Sequence, residues 1–290
     1  MTADSAMSEP GRLIRDYYDG RARGDRAAVE AALADDVVWH DPYPPPHGGD
    51  LEGRSAVLRD VFDAAGELTA GTGRFWLIDQ VVIGSFVVAL VGWTTEYRRR
   101  RIESRELAVY QVADDRIAEA WFYPEDAEES WRFFADPPGA EPPEELTGTA
   151  YRFMDQLVRV RATAAQTRGA FGMVDIETPP GSGPPPHRHT RDDEVLVVLR
   201  GRLVAVVGDE RTKLEPGDLV LFPKGRAHGY RAGGEPLRHM NLVFPGGFEQ
   251  YFAEAGRRVE AGRQLDSTTL GDLAARYGVT LLGPARRDAD

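Results

Sequence analysis

The sequence predicts an α+β module, shaped as a cone, followed by an all-β double-sheet barrel. Three observations lead there. Residues 136–145, DPPGAEPPEE, hold four prolines, one glycine and four acids, which reads as a semi-extended linker. Upstream of it, apolar residues recur first at helical and then at strand spacing, an α+β pattern. Downstream, short strand-like runs dominate, separated by Gly, Pro and Asp turns. No internal repeat relates the halves, so the chain reads as a fusion of two unlike modules. Its 290 residues suit about two domains. The first is expected over 9–136, a linker over 137–149 and the barrel over 150–282.

Leu13, Ile14, Tyr17 and Tyr18 fall at helical spacing and predict a first helix ending near Gly20. Asp25 is placed to cap a second helix carrying Ala28, Val29, Ala32 and Leu33. Val37, Val38 and Trp39 then lead into a turn-rich stretch, Asp41–Gly49, with four prolines. A third helix is expected over Arg54–Ala65. Strands follow at Phe75–Ile83, Phe86–Tyr97, Glu106–Val112 and Ile117–Tyr123. Helices on one face of such a curved sheet leave a cone-shaped pocket. In the second half the strand runs include Val195–Leu199, Leu203–Val207, Leu219–Phe222 and His239–Phe244. Gly247–Ala255 and Thr268–Tyr277 read as closing helices, the latter capped by Ser267. Residues 1–8 and 284–290 are expected to fray.

Composition excludes several classes. A hydrophobic fraction of 42% and a charged fraction of 28% are those of a globular chain, not a disordered one. A chain this long buries a core without covalent staples. There is no cysteine, so disulfides, thiolate zinc sites, iron–sulfur clusters and a cysteine nucleophile are out. That fits a reducing cytoplasm, the expected location. The balance of 35 basic and 47 acidic residues, a net charge of −12, lacks the footprint of a nucleic-acid or anionic-membrane binder. The basic run Arg98–Arg101 is bracketed by Glu96, Glu103 and Glu106 and reads as a solvated strand end. The longest apolar stretch, Val81–Trp93, is too short for a bilayer. The first residues have neither a basic start nor an apolar core, so no signal peptide is expected.

Chemistry concentrates in two barrel segments. The first runs GSGPPPHRHTRDDEVLVVLRG and the second GDLVLFPKGRAH. His187 and His189 are two apart, so on a strand both imidazoles face one side. Glu194 lies beyond a polar turn, and His228 follows a Pro-x-Gly turn that can bring a distant strand alongside. Three imidazoles and one carboxylate converging inside a barrel make a first-row transition-metal site with open positions. His239, in the alternating LRHMNLVF, reads as a packed histidine.

These two segments match the two-part signature of the cupin superfamily. The chain resembles its quercetinase-like branch, on PPGSGPPPHRHTRDDEVLVVLRG, PGGFEQYF and GDLAARYGVTLLGP. The resemblance implies a metal held by His187, His189, Glu194 and His228. It implies one divalent transition metal per chain: iron, nickel, manganese, cobalt, copper or zinc. Glu194 would double as a base toward a substrate hydroxyl. One departure is Ala232, where the family's second motif often ends in asparagine, so local packing is expected to differ.

The stretch YYDGRARGDRAAVEAALADDVVWHDP resembles the opening of NTF2-like proteins, among them ketosteroid isomerase and the SnoaL-like polyketide cyclases. That resemblance puts Asp41 at the general base and Tyr17 at the oxyanion-binding tyrosine. Ala108 falls where the isomerases need a protonated acid, while Glu106 and Tyr110 share its strand face. Asp126 lies near the acid/base aspartate of the SnoaL-like cyclases, and His40 is placed to orient Asp41 or to face outward. A carboxylate in an apolar cone has its pKa raised and moves protons near neutral pH. Trp39, Trp93, Trp121, Phe122 and Tyr110 would wall such a cone. The bland alternative is that Asp41 opens an Asp-Pro turn and that the domain is a dimerisation scaffold.

Three functions stay open at this point. The first is a metal-dependent oxygenase acting with O₂ on an aromatic phenol or enol. The second is a redox-neutral polyketide cyclase or isomerase, with the metal as Lewis acid and Asp41 or Asp126 handling protons. The third is a non-catalytic ligand-binding cupin. A homodimer is expected, with no nucleic-acid or membrane partner.

Overall fold

The computed structural model describes residues 8–43, 48–135, 141–142, 144–263 and 265–283. The fraying expected of 1–7 and 284–290, and most of the linker at 136–145, lie outside them. The chain divides into two compact units, Met1–Leu146 and Thr147–Asp290.

The N-terminal unit runs α1 (Glu9–Arg23), α2 (Arg26–Ala32), β1 (Leu33–Asp41), β2 (Gly49–Glu52) and α3 (Arg54–Val57). A π-helical turn, Leu58–Asp63, carries α3 into α4 (Ala64–Leu68). Then come β3 (Arg74–Ile83), β4 (Phe86–Tyr97), β5 (Arg100–Ala113), β6 (Arg116–Pro124), α5 (Ala127–Phe134) and α6 (Glu144–Thr147). The sheet order is β2-β1-β6-β5-β4-β3. Every pair is antiparallel except β1 with β6.

Helical spacing places Ile14, Tyr17 and Tyr18 on the buried face of α1, as expected. The helix does not stop at Gly20. It ends at Gly24, whose φ of 69° is the left-handed conformation glycine adopts at a helix end. Gly20 instead allows close approach of α2, since a Cβ there would lie 3.1 Å from that of Ala28. Asp25 caps α2 by accepting the Ala28 N–H, but Leu33 opens β1 rather than closing the helix. The third helical run reaches Leu68, past the expected Ala65. Strand β5 starts at Arg100, six residues before the expected Glu106, because Arg98 and Arg99 both take positive φ and close a two-residue hairpin. The basic run is thus an exposed hairpin tip and strand start.

The main core lies between sheet and helices, beside a smaller cluster of Trp93, Ile102 and Phe133. Val87, Ala89 and Val91 of β4 alternate onto the face that receives Ile14, Tyr17, Val29 and Val57 from the helices. Ala108 and Tyr110 of β5 join the same cluster.

The C-terminal unit holds β7 (Thr149–Phe153), β8 (Gln156–Ala162), β9 (Gly172–Thr178), β10 (His187–His189), β11 (Asp193–Arg200) and β12 (Leu203–Val207). It continues with β13 (Glu210–Leu214), β14 (Leu219–Phe222), β15 (His228–Ala232), β16 (Leu237–Phe244), α7 (Glu249–Glu260), α8 (Ser267–Arg276) and β17 (Val279–Leu281). Two sheets form, β13-β12-β15-β10-β17 and β14-β11-β16-β9-β8-β7. This is the expected double-sheet architecture. The cap of α8 is Asp266, not Ser267: its carboxylate accepts the Thr269 N–H at 2.7 Å. Ala232 is buried opposite Leu203 in an apolar cluster, so an alanine fits the position without a polar partner.

Candidate metal centre and N-terminal cavity

Strand register assembles the first site. His187 on β10 pairs directly with His228 on β15. Glu194 and Asn241 come from β11 and β16, neighbours in the other sheet. The donor atoms of His187, His189, Glu194 and His228 all lie within 4.8 Å of one another. His189, Glu194 and His228 are buried, and the His187 side chain is 12% exposed.

The tautomers follow from the outer contacts. Nδ1 of His187 is 2.9 Å from the Pro185 carbonyl, Nδ1 of His189 is 2.9 Å from Asp192 Oδ2, and Nδ1 of His228 is 3.0 Å from the Arg226 carbonyl. Each Nδ1 therefore carries the proton and donates it, leaving a lone pair on each Nε2. Those three Nε2 atoms turn to Glu194 Oε2, at 3.9, 3.3 and 3.1 Å for His187, His189 and His228. Lone pairs facing a carboxylate oxygen repel, and a shared cation resolves the conflict. Buried His189 Nε2 has no hydrogen-bond partner among the described residues. The donor set of imidazoles and carboxylate, without thiolate, suits a first-row divalent ion. Burial pushes the His187 imidazole down to about 4, so it is neutral at pH 7, as a ligand must be.

The structure adds a polar chain behind Glu194 that the sequence did not reveal. Asn241 Nδ2–H donates to Glu194 Oε1. Asn241 Oδ1 accepts from His239 Nδ1–H at 2.7 Å, and His239 Nε2 accepts from the Tyr230 hydroxyl at 2.8 Å. Tyr230 is anchored in turn at 3.1 Å by both Gln156 and Thr178. Burial pushes His239 down to about 4, so it stays neutral. It is a packed histidine, as expected, two steps from a ligand. Only the alternation of LRHMNLVF, which sets His239 and Asn241 on one face, hinted at it.

Aromatic rings close the site. Phe222 stacks on His228 at 4.6 Å and Phe248 meets His189 edge-on at 4.6 Å. The space beside Glu194, between Asn241 and Phe248, is about 10 Å³, roughly one water molecule.

The larger cavity lies in the N-terminal unit. It measures about 560 Å³, the size of a small-molecule site. Trp39, Phe62, Phe75, Trp93, Phe122 and Phe134 line it, together with Asp41, Glu106 and Arg21. Asp41 ends β1, and its Oδ1 accepts the Tyr43 N–H at 3.1 Å, the Asp-Pro turn contact. Burial still pushes its carboxyl up to about 7. Burial likewise raises Glu106 to about 7, against the pull of Arg21.

Other expected participants lie elsewhere. Tyr17 sits in a buried cluster with Tyr18 and Tyr110, whose hydroxyls meet at 2.5 Å, and neither Tyr17 nor Tyr110 is among the lining residues. Asp126 is exposed and caps α5 by accepting the Glu129 N–H at 2.8 Å, so it is not brought to the cavity. His40 faces outward between Asp50 and Glu119, each at 2.7 Å, and stacks on Trp121. Trp121 is thereby removed from the expected cavity wall.

Comparison with known proteins agrees with both halves. The SnoaL-like domain model matches residues 14–120, and the Cupin domain model matches residues 174–243. Quercetin 2,3-dioxygenase of Bacillus subtilis (strain 168) is 30% identical over 122 residues, covering 41% of this chain and 36% of that protein. The match thus spans about a third of that relative's length. Among solved structures, Bal32a from a soil-derived mobile gene cassette is 20% identical, with 44% of this chain and 98% of that chain covered and a TM-score of 0.42. KdgF from Halomonas sp. is 20% identical, with 34% and 89% covered and a TM-score of 0.32. The chain therefore joins a SnoaL-like domain of the NTF2-like class to a cupin domain.

Proposed function

We propose that the chain is a metal-dependent cupin enzyme of small-molecule metabolism, oxygenating an aromatic phenol or enol. The observation that carries this reading is the meeting of three Nε2 lone pairs on one carboxylate between the two sheets. The similarity to a quercetin dioxygenase supports the substrate class. His187, His189, Glu194 and His228 would hold the ion. When bound, it would supply open coordination positions for a chelating substrate and O₂.

The chain's own residues do the rest. Pro185, Asp192 and Arg226 hold the imidazoles in the ligating tautomer. Asn241 fixes Glu194 Oε1 and so keeps Oε2 turned toward the three imidazoles, and Glu194 is the residue that would take the proton of a substrate hydroxyl. Phe222 and Phe248 exclude water around the imidazoles. His187, the most exposed of the four, would be the one nearest an entering substrate.

The test is elemental analysis of the chelator-free protein beside a His187→Ala/His228→Ala variant, followed by O₂ uptake on flavonol-like phenols. Near-stoichiometric iron, nickel, manganese, cobalt or copper, lost in the variant, with O₂ consumed by the wild type, is the expected result. Zinc alone would turn the reading to redox-neutral cyclisation or isomerisation. No metal even after reconstitution would defeat it.

A further inference from the structure

Arg21 is the unexplained charge of the N-terminal unit. It projects from the last turn of α1 into the wall of the 560 Å³ cavity. Its guanidinium lies 3.8 Å from the centroid of Phe75 and 5.0 Å from that of Phe62. Its hydrogen bond to a neighbouring side chain is a long one, 3.5 Å to the Tyr17 hydroxyl. Among the described residues it forms no ion pair. The other charged lining groups are accounted for: Asp25 caps α2, and Arg26 is paired with Asp63. Glu106 and Asp41 also reach the cavity; Glu106 lies close enough to feel the charge of Arg21 but has no side-chain hydrogen bond among the described residues.

A buried guanidinium held by aromatic faces presents its N–H groups to whatever fills the space. We propose that this cavity binds a planar, largely apolar small molecule bearing one anionic oxygen group, a carboxylate or an enolate, with Arg21 as its anchor and Glu106 and Asp41 facing it. The wall of Trp39, Phe75, Trp93 and Phe122 takes the ring system by stacking and apolar burial. The charge balance fits the same ligand. Below about pH 7 the two carboxyls are largely protonated, so Arg21 is the uncompensated charge of the lining and an anion is favoured. Above that, Glu106 and Asp41 ionise and compete with the ligand for Arg21. This site is separate from the metal centre and does not depend on it.

The test is calorimetric titration of the full chain with 2-naphthoate and with its neutral counterpart, 2-naphthamide. It is run on the wild type and on the His187→Ala/His228→Ala variant, which removes any carboxylate binding at a metal. At about pH 6, naphthoate is expected to bind about tenfold or more tighter than naphthamide in both proteins. Arg21→Met should remove that preference and leave naphthamide binding within about twofold. Glu106→Gln tests the idea without touching Arg21. It should tighten naphthoate binding several-fold at about pH 8 and leave it unchanged at about pH 5. Equal binding of the two probes, no binding of naphthoate, or an Arg21→Met chain that binds as the wild type does would each overturn the proposal. Naphthoate binding lost in the His187→Ala/His228→Ala variant would place the ligand at the metal centre and overturn it too.

Discussion

Asp41 and Glu106 keep protons that the unfolded chain gives up, and the consequence has a sign. Burial raises both carboxyls to about 7, well above the ordinary carboxylate range. The folded state is therefore favoured below about pH 4, and that contribution is lost as the pH rises through about 7. An Asp41→Asn/Glu106→Gln chain is expected to melt a few degrees above the wild type at pH 8, with the gain shrinking as the pH falls toward 4. Differential scanning calorimetry across that range checks it, and an equal gain at both ends would refute the assignment. At the candidate metal centre the residue that matters beside the ligands is Asn241. Replacing it with alanine strips the hydrogen bond from Glu194 Oε1 without removing a ligand. Competition against a chromophoric chelator should then show affinity down about 10–100-fold. Unaltered affinity would mean that the chain of Asn241, His239 and Tyr230 is core packing alone.

At the scale of the element, legibility depends on spacing. The four candidate ligands were readable because two sit at strand period on β10, and turn chemistry brings the others to them. Asn241 and His239 were not, because their role depends on β16 lying beside β11, a pairing between segments 47 residues apart at the Asn241–Glu194 contact. Arg21 gave no signal either, since a basic residue in the last turn of a helix reads as ordinary dipole compensation. Asp126 and Asp266 show the opposite failure. Both acids lie beside plausible sites or caps, and the backbone N–H three residues on decides that each is a cap. Gly20 misled because glycine inside a helix usually marks its end, whereas here the missing side chain makes room for α2.

For the whole molecule, two units with separate cores should answer separately to the metal. Calorimetry of loaded and stripped protein is expected to show a melting transition that moves with the metal and another that does not. A single transition shifting as one would argue against independent units. Light scattering is expected to give a homodimer, and a mass near 32.0 kDa would refute that. One further consequence lies in β17. It pairs with β10 along Val279–Leu281, on the side away from β15, and the Pro186 carbonyl next to His187 accepts the Leu282 N–H. A chain ending at Arg276 would keep all four candidate ligands but lose the strand that braces two of them, and any metal affinity they confer should fall. In order of synthesis, then, every candidate ligand emerges well before its clamp. The nascent barrel carries a complete set of candidate donors and an unfinished cage, so a metal bound by them would be expected to be captured late, once the last strand docks.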